Sequence, residues 1–235
     1  MGVLILHSVY RIVMAIFLST AVERKFGYLV RKPVSFHSSI FALSSYICYH
    51  WPSCVRIPLN DEVESMKKTV LKKQNAATHC FICGVQNPFG LHTDFFELED
   101  GSLAALVTPR SERQSYPGRL HGGIIAALLD ETIGRAINIS EPDTWAVTAE
   151  LSLQYKKPVP YDVELKVVGR ITANNRRVFT GIGELLLPDG EVAATATGKY
   201  VKLPLPSIAD FDANGESWRV HPYETDPSEI DLPEE

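Results

Sequence analysis

The sequence predicts an α+β domain in which one long helix packs on an antiparallel sheet. Three observations predict it. Residues 121–137 carry apolar positions at helical spacing and open on a pair of glycines. Six segments read as strands, and several alternate apolar with polar side chains, as Val163, Leu165 and Val167 do. Short turn signals separate them. In order, residues 94–98 and 103–108 are strands joined by Glu99-Asp100-Gly101, and the helix follows. Four longer strands come next, at about residues 146–155, 163–172, 176–187 and 191–202. Asn174-Asn175 and Pro188-Asp189-Gly190 mark the last two hairpin turns.

The helix carries the chemistry. At about 100° per residue, Gly123, Ala126, Ala127, Asp130 and Gly134 share one face. Ile125, Leu129, Ile133 and Ala136 form a bulky face that suits a core. Glu131 lies beside Ile124, Leu128 and Arg135, and its i,i+4 spacing to Arg135 reads as a solvated ion pair. Asp130 has no basic residue one turn away and is flanked by small side chains, so a ligand could approach it closely. It is the candidate base or nucleophile; the competing reading is an acid in water or bonded to a loop.

The start of the helix supplies the complementary part. Gly122 and Gly123 offer backbone N–H groups at the positive end of the helix dipole, a site suited to an anionic oxygen. His121 precedes them, either to orient substrate or as a capping side chain. Gly123 and Asp130 are seven residues apart, about 10 Å along the axis. One carbonyl cannot touch both groups of one helix, so a shared reaction implies two copies of the chain.

The run His121-Gly122-Gly123, six residues and then Asp130 resembles the acyl-CoA thioesterases of the PaaI-like hotdog superfamily. Two further pieces agree in order: Cys80-Phe-Ile-Cys83-Gly84-Val-Gln-Asn87-Pro88-Phe-Gly90-Leu91, and the strand from Thr148 to Val159. The resemblance covers about residues 78–203. It implies a hotdog fold, a helix wrapped by a curved sheet. It also implies thioester hydrolysis to free acid and CoA, with Asp130 activating water or attacking the carbonyl and a Gly122 or Gly123 amide holding the oxyanion. Some relatives carry a hydroxyl residue one turn after the acid; here that position is Gly134. Asn87, Lys156, Lys157 and Arg176 are candidate substrate-binding residues, the basic ones for the phosphates of CoA.

Outside this domain the charge is uneven. Residues 1–59 hold one acid, Glu23, against six basic residues, for a net +5, while the remainder carries −10. Residues 1–65 are therefore expected to be an N-terminal extension, with three readings open: an upstream start before Met66, a targeting leader, or an accessory segment. Residues 204–235 hold nine acids and one arginine and read as a solvated, disordered tail. The acidic balance and the lack of a basic-aromatic cluster argue against nucleic acid, and the apolar run at residues 3–18 is short for a membrane span.

Cys80-x-x-Cys83 is half of a zinc ribbon or a redox pair, but without a matched second pair no metal is assigned. Four cysteines give no disulfide framework, which fits a cytoplasmic protein. The expectation is an acyl-CoA thioesterase without cofactor, acting as a homodimer or homotetramer with shared active sites. A non-catalytic acyl-CoA-binding module is the alternative. A hotdog dehydratase would need a histidine shortly after the acid, and none follows Asp130 until His221.

Overall fold

A computed structural model describes residues 65–209 and 217–234. The expected extension falls outside them up to residue 64, as do Cys48 and Cys54. Ten strands and two helices follow in order: β1 (Ser65–Lys73), β2 (Ala76–Ala77), β3 (Asp94–Leu98), β4 (Leu103–Val107), α1 (Gly122–Arg135), α2 (Ile137–Ser140), β5 (Ala146–Tyr155), β6 (Leu165–Asn174), β7 (Val178–Leu186), β8 (Val192–Lys202), β9 (Trp218–Arg219) and β10 (Glu229–Pro233). Eight strands make one antiparallel sheet in the order β10-β1-β3-β4-β6-β7-β8-β5, and β2 pairs with β9. Helix α1 lies on this sheet in the hotdog arrangement.

The pattern in α1 explains its seat. Ile125, Leu128, Leu129 and Ile133 are buried against Phe95, Leu103, Val167, Phe179 and Leu185 of the sheet. The bulky face is the buried one, as expected, and Leu128 joins it. The sheet gives way where the helix presses close. A Cβ on Gly169 would lie 2.8 Å from the carbonyl oxygen of Thr132, and one on Gly183 would lie 2.8 Å from Ile133 Cγ1. These two glycines face each other across β6 and β7. Only a residue without a side chain permits that approach.

Both ends of the described chain depart from expectation. Among the described residues the sheet already includes Ser65, well before residue 78, and the acidic tail is partly strand. The first half of β1 pairs with β10 and its second half with β3, with a register shift between Val70 and Lys72. Ile230 and Leu232 alternate with Glu229 and Asp231, and they bury against Phe96, Leu98, Val168 and Leu186 on the sheet face away from α1. Lys166 Nζ donates to the carbonyl oxygen of Asp231 at 2.9 Å. The β1–β10 ribbon thus folds over the outer face and covers apolar side chains that would otherwise meet water. Ile230 and Leu232 among nine acids were enough to make a strand because alternation, not composition, decides burial.

The Glu131–Arg135 pair is also corrected. It exists, at 2.7 Å, but Arg135 is only 5% exposed. Its guanidinium donates to the Asn75 carbonyl oxygen at 2.8 Å and lies over the rings of Phe95 and Trp218. No helix of the described residues is long and apolar enough to cross a membrane.

Candidate active site

Asp130 sits on the second half of α1, half-buried, facing the paired strands β5 and β8. Two hydroxyls hold its carboxylate. Tyr200 Oη donates to Oδ1 at 3.0 Å, and Thr148 Oγ1 lies 2.9 Å from Oδ1 and 3.1 Å from Oδ2. Thr148 and Tyr200 are direct cross-strand partners, and a register shift follows at once between Thr148 and Glu150. Such a bulge re-aims side chains at a strand edge. Burial pushes the Asp130 carboxyl above its ordinary range, while the two hydroxyl bonds favour the anion and limit the rise.

Tyr200 is placed by packing. Its ring is buried and stacks on Phe179 with centroids 4.9 Å apart. Gly134, one turn after the acid, is where a Cβ would come 3.2 Å from that ring. The hydroxyl that the helix lacks at position 134 thus reaches Asp130 from β8 and β5 instead. Neither Tyr200 nor Thr148 stands out as a site residue in the sequence, because their meeting with Asp130 depends on strand pairing. The two glycines at 134 and 198, which leave room for the Tyr200 ring, are the trace of it in the sequence.

At the other end of α1, His121 is the N-cap. Its Nδ1 accepts the Gly123 N–H at 2.9 Å, which places the ring proton on Nε2. The Gly123 amide is therefore already engaged. The Gly122 N–H has no acceptor among the described residues, and its own carbonyl accepts from Tyr155 Oη at 2.9 Å. Of the two amides, Gly122 is the open donor. The helix separates it from Asp130 by eight residues, about 12 Å.

The candidate substrate-binding residues do not converge. Asn87 is committed to its own loop: its Nδ2 donates to the His79 carbonyl oxygen at 3.0 Å and its Oδ1 accepts from the Phe89 amide at 2.9 Å. Lys157 pairs with Glu191. Lys156 is exposed at the end of β5, next to Tyr155. Arg176 lies in the turn between β6 and β7, at the opposite end of the β5–β8 ladder, roughly 30 Å away at strand rise. A groove of 830 Å³ between Phe89, Leu106, Arg110, Arg113 and Tyr223 includes neither Asp130 nor Gly122.

The thioesterase superfamily model matches residues 117–194. The chain is 33% identical over 138 residues to acyl-coenzyme A thioesterase THEM4 of Mus musculus, which is 58% of this chain and 57% of that protein. It is 27% identical over 111 residues to THEM4 of Xenopus laevis, 46% of this chain and 49% of that one. The chain spans about half the length of these curated relatives. A solved thioesterase superfamily protein is 23% identical, with a TM-score of 0.49 over 83% of this chain and 87% of that chain. Through its central helix and the strands that follow, at residues 117–194, the chain is similar to the thioesterase superfamily.

Proposed function

We propose that this protein hydrolyses an acyl-CoA thioester to the free acid and CoA. The observation that carries the reading is the Asp130 carboxylate: half-buried, held by two hydroxyls, and raised above its ordinary range by burial. Such a group is a better base than an exposed aspartate at neutral pH. Asp130 takes a proton from water as the oxygen attacks the thioester carbonyl, or attacks that carbonyl itself. The negative charge that develops on the carbonyl oxygen is met by the Gly122 N–H, and the C–S bond then breaks, CoA leaving as its thiol with the proton that Asp130 took. Where Asp130 itself attacks, the thiolate takes its proton from solvent and water then cleaves the acyl anhydride to the free acid. His121 holds the glycine turn through its bond to Gly123 rather than touching the reacting atoms.

The separation of Gly122 from Asp130 makes each site the work of two chains. The β5 edge supports such an assembly. Among the described residues it is the unpaired margin of the sheet, every one of its ten residues is exposed or half-exposed, and Val147 and Tyr155 are among the exposed apolar side chains. Pairing β5 with β5 of a second copy would form a homodimer and bring an Asp130 side chain beside the partner's helix start. Lys156, at the end of the same strand, would then flank the site and could meet a CoA phosphate.

The test is CoA release from a panel of acetyl, medium-chain, long-chain and aromatic CoA esters, with Asp130→Asn alongside. Loss of general-base catalysis predicts a fall of roughly 10²–10⁴ in kcat. Tight binding of the esters without turnover by the wild type would replace this reading with a binding module.

A further inference from the structure

The segment Cys80-Phe-Ile-Cys83 takes no part in that chemistry, yet it is built with care. Gly84 closes the turn: its amide donates to the Cys80 carbonyl oxygen at 2.9 Å, and a Cβ there would fall 2.2 Å from that oxygen. Cys80 Sγ accepts the backbone N–H groups of Ile82 at 3.3 Å and Cys83 at 3.5 Å. Cys83 Sγ accepts the Ala77 N–H at 3.4 Å and an N–H of the buried Arg135 guanidinium at 3.0 Å. The two sulfurs and a Glu131 carboxylate oxygen all lie within 4.8 Å of one another.

The two thiols differ in access and in charge. Cys83 is 2% exposed, whereas Cys80 is partly open to solvent. The Cys83 thiol bonded to Cys80, helped by the backbone N–H groups, lowers Cys80 to about 6 against the cost of its burial. Cys83 is pushed up in turn, since it keeps the shared proton. One sulfur is thus open to solvent and favoured toward its thiolate, and the other is buried against a fixed cation.

We propose that Cys80 and Cys83 form a reversible dithiol–disulfide pair that exchanges with small disulfides, Cys80 as the attacking sulfur and Cys83 as the resolving one. In the first step the Cys80 thiolate attacks one sulfur of the small disulfide. A mixed disulfide forms and the other half leaves as thiolate. Cys83 gives its proton to that leaving thiolate and, as an anion steadied by Arg135, attacks Cys80 Sγ. The Cys80–Cys83 bond forms and the second half leaves as a thiolate that takes a proton from water. The pair is oxidised by two electrons and the small disulfide is reduced to two thiols.

A metal ion is the competing occupant of these three ligand atoms. The guanidinium already 3.0 Å from Cys83 Sγ opposes a second cation there, and a closed structural zinc site needs four protein ligands.

The experiment uses the full chain with Cys48→Ser and Cys54→Ser, equilibrated in glutathione buffers of graded ratio, alkylated and read by peptide mass. The expected result is a Cys80–Cys83 disulfide that forms and reverses with the ratio. Cys83→Ser traps a glutathione adduct on Cys80, whereas Cys80→Ser forms the adduct at least tenfold more slowly. The chain with both thiols intact adds a second readout: iodoacetamide labels Cys80 before Cys83, at a pH below that of an ordinary thiol. Thiols that stay reduced in excess oxidised glutathione would overturn the proposal, as would equal labelling of the two. Stoichiometric zinc that protects both from labelling would overturn it in favour of a metal site.

Discussion

Replacing Gly122 by proline would remove one hydrogen-bond donor and almost nothing else. Gly122 is the first residue of α1, the helical position at which proline is best tolerated. His121 before it has φ −68° and ψ 135°, the extended backbone that a following proline requires. A side chain at 122 finds its nearest neighbour, the Tyr155 ring, at 3.6 Å, an ordinary contact. No intrachain bond is lost with the N–H among the described residues. Folding should therefore be unharmed or improved by about 0.4–1 kcal/mol, through the stiffer unfolded chain. Loss of an oxyanion donor should nonetheless lower kcat by about 10²–10³, or about 3–4 kcal/mol. The assay is CoA release under saturating substrate, with thermal unfolding measured on the same sample. Gly123→Pro is the contrast, because it deletes the donor to His121 Nδ1 and should cost about 1 kcal/mol of stability as a lost cap. A Gly122→Pro enzyme with wild-type kcat and a wild-type Tm would refute the assignment of this amide to the oxyanion.

Tyr200→Phe keeps the ring in place but deletes the donor to Asp130 Oδ1, a bond to a charged group worth about 1.5–3 kcal/mol. Because that bond favours the anion, its loss should move the acid limb of the pH–rate profile to higher pH; an unmoved limb would make Tyr200 a packing residue only. Asp130→Asn should unfold at higher temperature than wild type at pH 8. The folded carboxyl is raised above its unfolded value, so its stabilising contribution is full below the ordinary carboxylate range and is lost as pH rises through the raised value. The two proteins should converge at low pH, and a constant gap in Tm across the range would contradict this. Gly169→Ala drives a methyl against the Thr132 carbonyl at 2.8 Å and should cost about 1–3 kcal/mol by denaturant unfolding. Leu232→Ala should cost about 2–5 kcal/mol, although it lies in a segment of acidic composition.

Local pattern carried most of the fold. The six strands and the helix around Asp130 appear where alternation and turn residues place them; the strand read at 163–172 is Leu165–Asn174. What local pattern could not carry is pairing between distant segments. Four lysines in Ser65–Lys73 hide β1, and acids hide β10, until the two are laid side by side. Arg135 reads as a surface residue from its spacing to Glu131. Its burial comes from Asn75, Cys83, Phe95 and Trp218, which approach from separate parts of the chain. The site divides in the same way. Asp130 and the glycine pair stand out on one helix, but the Thr148 and Tyr200 hydroxyls arrive on two strands, and the His121–Gly123 bond that leaves Gly122 as the open amide is a matter of side-chain rotation.

The β1–β10 ribbon also sets an order of events. Ser65 faces Pro233 across about 170 residues of chain, the longest sequence separation between paired strands of the sheet. The hairpins β6–β7 and β7–β8 close over a few residues each, so they can form while the ribbon is still open. The ribbon is then the last part to zip and the first to release, and its amides should exchange with solvent ahead of those in β6, β7 and β8. Each opening bares Phe96, Leu98, Val168 and Leu186, so the rate at which this protein aggregates on warming should follow the ribbon rather than the unfolding of the helix and its sheet.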